Sequence, residues 1–132
     1  MIKIIGKIEI KKLHKATCHC GAVELDIELP YGIENPRRCN CSMCRRKGII
    51  AGSIQKKKLH IVKGESVLNF YQFNTFSAKH FFCSICGIHV YHQRRSNRQE
   101  LGFNIGCLQG VNPLELGEVI TSDGINHIMD QS

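Results

Sequence analysis

Tryptophan is absent from the 132 residues, and phenylalanine and tyrosine bring the aromatic share to only 7%. The basic runs of the chain therefore lack the stacking platform on which single-stranded nucleic acid lays its bases. Long apolar runs are missing too. No stretch approaches the ~20 apolar residues of a membrane-spanning helix, and the opening from Met1 to Gly6 is too short for a secretory signal and carries Lys3. The chain reads as soluble and intracellular, expected in the cytoplasm, where thiols stay reduced. Low-complexity tracts and signs of a second domain are also lacking, so residues 1–132 are expected to form one domain. Acidic side chains are the minority, 11 against 18 lysines and arginines, for a formal charge of +7.

Cysteine, by contrast, is plentiful. Seven of the eight thiols fall in three clusters: Cys18-His19-Cys20, Cys39-Asn40-Cys41-Ser42-Met43-Cys44 and Cys83-Ser84-Ile85-Cys86-Gly87. Thiols one or two residues apart cannot complete a tetrahedral ion by themselves, so each cluster has to find partners across the fold. The simplest division gives the two pairs to one zinc and leaves the trio holding another. A rival pairing joins Cys41 and Cys44 to Cys83 and Cys86, leaving Cys18, Cys20 and Cys39 for the second ion. Four thiolates close a site, whereas three keep a position open for water or substrate, so the chemistry is expected at the trio. Cys107, in an apolar run, is either a fourth ligand there or a small buried hydrophobe. Seven thiolates around two zincs also reduce the charge from +7 to roughly +4, which makes much of the basicity counter-charge.

Local pattern is mostly of the β type. Residues 2 to 13 alternate as an opening strand broken at Gly6, and Val23, Leu25, Ile27 and Leu29 form the cleanest period of two, stopped by Pro30. Tyr31 to Arg38 reads as a loop. In a strand, Cys18 and Cys20 would share a face and His19 would point away. Cys44, three residues after Cys41, suggests a short helical turn capped by Asn40 or Ser42. Further strands are expected around residues 48–53, 59–62, 67–73, 88–92, 101–108 and 117–121, with a turn at Gly64-Glu65-Ser66 and another at Asp123-Gly124. Cys83 to Gly87 has the form of a zinc knuckle in which glycine takes the left-handed position. Phe70, Phe73, Phe81, Phe82 and Phe103 are expected in the core. His80, His89 and His92 flank the knuckle and are expected either to hydrogen-bond a ligand or to lie at the surface. Arg45 and Arg46 follow the trio and are candidates for holding the carboxylates of an anionic substrate.

Taken in order, Cys18-His19-Cys20-Gly21, Cys39-Asn40-Cys41-Ser42-Met43-Cys44-Arg45 and His80-Phe81-Phe82-Cys83-Ser84-Ile85-Cys86-Gly87 resemble the glutathione-dependent formaldehyde-activating enzyme family, which includes centromere protein V. The resemblance runs from about Thr17 to Asn126. Gly102 to Leu108 and Asp123-Gly124-Ile125-Asn126-His127 look nearer the centromere protein V branch. The resemblance implies a mainly β, Mss4-like fold of several small coiled antiparallel sheets with little helix and two zincs per chain. It implies a structural zinc on Cys18, Cys20, Cys83 and Cys86 and a catalytic-type zinc on Cys39, Cys41 and Cys44. It also implies a carbon–sulfur lyase chemistry that joins formaldehyde to a small thiol such as glutathione. The alternative is a non-catalytic zinc module that binds protein or nucleic acid through a basic face.

Overall fold

The computed structural model describes residues 1–73, 76–95 and 97–125. The opening alternation is a tight hairpin, β1 (Ile4–Ile5) and β2 (Ile8–Glu9), turning at Gly6. Next come β3 (Leu13–Thr17) and β4 (Glu24–Glu28), which pair antiparallel and, with β7 (Leu59–Lys63), make a three-stranded sheet. The period of two read around β4 is realised in full. Val23, Leu25 and Ile27 are fully buried, and Leu29 nearly so. Burying each side chain of this size contributes about 1.5–3 kcal/mol relative to leaving it in water.

The larger sheet has seven strands. Beyond β5 (Glu34–Cys39), these are β6 (Ala51–Gln55), β8 (Leu68–Tyr71), β9 (Lys79–Cys83), β10 (His89–Gln93), β11 (Glu100–Asn104) and β12 (Ile120–Ser122). Their spatial order is β12-β5-β6-β11-β10-β9-β8, antiparallel throughout except where β12 runs parallel to β5. The sole α-helix among the described residues, α1 (Ser42–Lys47), connects β5 to β6. No described helix is long and apolar enough to cross a membrane. The fold is mainly β, with several sheets and little helix, as expected. Buried apolar side chains from β1, β3, β4, β6, β10 and β11 and from the segments between strands form one cluster that includes Ile33, Leu25, Phe103 and Ile105.

Three local expectations are corrected. The segment read as a loop through Arg38 contains β5, held between β6 and β12 despite Pro36 and a positive φ of 51° at Asn35. A register irregularity between Glu34 and Arg37 accommodates both, since proline is tolerated where the ladder is already interrupted. Cys18 and Cys20 lie in the turn after β3, not on a strand, and Gly21 closes that turn by donating to the Cys18 carbonyl. Phe70 is 46% exposed on the outermost strand of the large sheet, whereas Phe103 is fully buried.

Candidate metal centre and active site

The two distant thiol pairs meet. Cys18 and Cys20 come from the turn between β3 and β4, Cys83 from the end of β9 and Cys86 from the turn into β10. Gly87, at φ 78°, reverses the knuckle and donates to the Cys83 carbonyl. The four sulfurs all lie within 4.8 Å of one another, and none of the cysteines is in a disulfide. Cys18 Sγ is 3.6 Å from Cys20 Sγ, which is 3.7 Å from Cys83 Sγ. A disulfide needs about 2 Å. Sulfurs at about 2.3 Å from a tetrahedral zinc stand roughly 3.7–3.8 Å apart, so the donor set fits zinc in both chemistry and spacing. Backbone N–H groups of Cys20 and Ile88 favour the Cys86 thiolate, lowering it to about 6. Cys20 goes the other way. The Ala22 amide favours its thiolate, yet partial desolvation and the neighbouring thiols push it up to about 11.

The trio forms a second group, its three sulfurs again within 4.8 Å. Cys39 ends β5, and Cys41 caps α1 through its own sulfur, which accepts from the Cys44 backbone N–H at 3.2 Å. The cap is thus the thiol and not Asn40 or Ser42. Gly48 ends the helix in the left-handed conformation. Hydrogen bonds from the Cys39 and Cys44 thiols push the Cys41 thiol far down, and the same sharing drives Cys44 far up. Three thiol sulfurs this close are the donor type and spacing that zinc takes, so this set fits a metal as well. The rival pairing is not the one adopted: Cys39 lies with Cys41 and Cys44, away from Cys18 and Cys20. Cys107 is buried, donates to the His89 carbonyl at 3.7 Å, and is pushed up to about 12 by burial and the charges of Cys18 and Cys86. It therefore neighbours the four-thiol group and does not join the trio.

Asn40 found its task elsewhere. Its Oδ1 accepts from the backbone N–H of Gly124 at 2.7 Å and of Ile125 at 3.2 Å, tying the segment after β12 over the trio. A side chain at position 124 would put its Cβ about 2.5 Å from Cys39 Sγ. This accounts for Gly124 in the tail motif; Asn126 and His127 lie outside the described residues.

A cavity of about 410 Å³ opens against the trio, lined by Cys39, Cys41 and Cys44 on one side. Arg37, Arg38, Arg94 and Arg95 line it as well, with Phe73 contributing an apolar wall. Glu100 lies 3.2 Å from Arg94 Nε and 3.8 Å from Arg37 Nη2, and Arg94 also donates to Ser53 Oγ. Burial, and then the charge of Arg37, lower Arg94 to about 10. Arg37 Nε is buried with no hydrogen-bond partner among the described residues. Arg45 and Arg46, the arginines singled out from the sequence, are exposed and outside the cavity lining; Arg46 donates to the Ser42 carbonyl of its own helix.

The histidines are the larger surprise. His80, His89 and His92 are all buried, at 4%, 8% and 9% exposure, with ring centroids 5.3–6.1 Å apart. Lys47 Nζ, from the end of α1, lies 2.9 Å from His80 Nδ1 and 3.4 Å from His89 Nε2, and His89 Nε2 lies 3.2 Å from His92 Nδ1. His80 and His92 reach the cavity wall. Burial, reinforced by the Lys47 charge, lowers His80 to about 4 and His89 to about 2 and holds His92 well below its ordinary value. The imidazoles are therefore neutral near pH 7. Burial also lowers Lys47, against which the thiols of the trio pull upward. A β-bulge explains the grouping. Between His89 and Tyr91, β10 gains one residue relative to β9, which brings His89 and His92 to the same side although strand alternation would separate them. Gly102, opposite His92, leaves room for that ring, because a Cβ there would collide with it.

A family model described as glutathione-dependent formaldehyde-activating enzyme matches residues 13–120. Among solved structures, the crystal structure of a Rhodobacter sphaeroides protein is 53% identical to the chain, covers 82% of it and 99% of its own length, and superposes with a TM-score of 0.78. The matched residues include all seven clustered thiols and the four arginines that line the cavity. This chain belongs to the glutathione-dependent formaldehyde-activating enzyme family.

Proposed function

We propose that the protein is a zinc-dependent catalyst, cytoplasmic and built as one domain over residues 1–132, that joins formaldehyde to the thiol of glutathione. In the reverse direction it would act as a carbon–sulfur lyase. Cys18, Cys20, Cys83 and Cys86 would hold a structural zinc, and Cys39, Cys41 and Cys44 a catalytic-type one. The observation that carries this reading is the asymmetry between the two groups: the three-thiol set, and not the four-thiol set, forms a wall of the cavity. Zinc held by Cys39, Cys41 and Cys44 would supply Lewis acidity toward a thiol or a carbonyl oxygen.

The remaining work falls to the chain's own side chains. Arg37, Arg38, Arg94 and Arg95 bind and orient the carboxylates of the peptide thiol, with the buried Arg37 Nε as one donor awaiting an acceptor. Phe73 and the apolar floor exclude water from the reacting carbon. In the forward reaction the sulfur bonds to carbon, the carbon–oxygen π bond breaks, and the thiol proton ends on oxygen. Neutral imidazoles beside the cavity suit that transfer, since they can either give or take a proton.

The test is exchange spectroscopy by nuclear magnetic resonance on glutathione plus formaldehyde, without protein, with protein, and with a Cys41→Ala variant. Faster exchange with the protein alone is the expected result. Equal exchange in all three samples contradicts the assignment.

A further inference from the structure

Among the described residues, Lys47 forms no ion pair with a carboxylate. It reaches from the end of α1 into the three-histidine group, and its Nζ approaches ring nitrogens of two of them. An ammonium has only donors to offer, so each imidazole nitrogen facing it must present a lone pair. His80 Nδ1, at 2.9 Å, is then an acceptor, and the ring carries its proton on Nε2. His89 Nε2, at 3.4 Å, is likewise unprotonated, and its proton sits on Nδ1. The contact of 3.2 Å between His89 Nε2 and His92 Nδ1 then has His92 donating into the one lone pair of His89 Nε2, shared with the longer Lys47 contact. That leaves His92 with a bare Nε2. One cation fixes three tautomers.

We propose that Lys47 is the positioning residue of the site: it sets the tautomers of His80, His89 and His92, leaving His80 protonated on Nε2 and His92 on Nδ1, and two of these rings belong to residues that line the cavity. The functional meaning rests on the reaction proposed above, in which a thiol gives up a proton and a carbonyl oxygen gains one. One ring held as a hydrogen-bond donor at Nε2 and another held with Nε2 unprotonated, both in residues that line the cavity, suit that demand because each can orient a polar group of the reactants by hydrogen bonding. The β-bulge in β10 and the room left by Gly102 are the backbone features that hold the rings in place. Asn104 adds to this by donating to the His89 carbonyl at 2.8 Å.

The experiment is a long-range proton–nitrogen correlation spectrum of the imidazoles in the ¹⁵N-labelled, zinc-loaded protein at pH 7, for the wild type, Lys47→Met and Lys47→Arg. The wild type should show His80 protonated on Nε2 and both His89 and His92 on Nδ1. Lys47→Met should scramble at least the His80 and His89 tautomers, and Lys47→Arg should restore them, because a guanidinium also only donates. A wild-type spectrum with His89 protonated on Nε2 overturns the inference even if no variant folds, as does an unchanged pattern in Lys47→Met. Glutathione–formaldehyde exchange on the same samples should fall at least tenfold in Lys47→Met and recover in Lys47→Arg. If wild-type exchange is no faster than the uncatalysed rate, the reaction assignment fails, while the tautomer spectrum still decides the role of Lys47.

Discussion

Gly124 lies against Cys39 so closely that a methyl group on it would sit about 2.5 Å from the sulfur. The backbone there is held by Asn40, one residue from Cys39 and one from Cys41, so the tail segment and the trio are positioned by the same side chain. Gly124→Ala should displace either the tail segment or Cys39. The expected effect is a loss of about 10–100-fold in zinc affinity at the trio, the size seen when groups supporting metal ligands are disturbed. Chelator competition followed by zinc analysis measures it, and the four-thiol zinc should be retained.

The two thiol groups should differ in what they do for the fold. Cys83 is completely buried at the junction of β9 and the knuckle, and its sulfur belongs to a group that ties the turn after β3 to the large sheet. Cys83→Ala should destabilise the protein severely, because metal-binding energy there is folding energy. Cys44→Ala, on the short helix, should leave the thermal midpoint within a few degrees of the wild type while abolishing exchange. Thermal melts by circular dichroism distinguish the two.

The arginines of the cavity, and not those of the helix, should control affinity for the peptide thiol. Arg94→Ala or Arg37→Ala is expected to raise the KM for glutathione by about 10–100-fold, the cost of a lost charge-assisted hydrogen bond of about 1.5–3 kcal/mol. Arg45→Ala and Arg46→Ala should change it less than twofold, since both side chains are exposed outside the cavity. Steady-state kinetics with varied glutathione provides the check.

Acid should weaken the fold through the histidines. In the folded protein burial keeps His80 neutral down to about pH 4 and His89 to about pH 2, whereas both titrate near 6.5 once unfolded. Between those limits the unfolded chain binds more protons, so stability falls as pH drops below about 6.5, by up to about 1.4 kcal/mol per pH unit for each histidine. Urea unfolding at pH 7 and pH 5 should show the loss, and His89→Gln should make it shallower.

What could be read from the sequence, and what could not, follows from how local each signal is. The cysteine spacing and Gly87 of the knuckle are short-range features, and Val23 to Leu29 alternate without interruption; all three were legible. β5 was hidden because Asn35 and Pro36 are turn residues, and only the pairing with β6 and β12 makes a strand of them. Arg45 and Arg46 adjoin the trio in sequence but sit exposed on α1, while Arg37 and Arg38 come from β5 and Arg94 and Arg95 from the segment directly after β10. The histidine group depends on an extra residue in β10 that shifts His89 relative to His92. A bulge leaves no mark in residue type, so strand alternation alone would have put the two rings on opposite faces.

The central claim is the unequal sharing of sulfur between two metal positions, and zinc-edge X-ray absorption on the protein before and after mild chelation tests it most directly. Two zincs per chain are expected at the outset. Chelation should remove one, leave the fold intact, and leave a remaining zinc surrounded by four sulfurs at about 2.3 Å. A single zinc at the start, or a retained zinc with fewer than four sulfurs, would contradict the account.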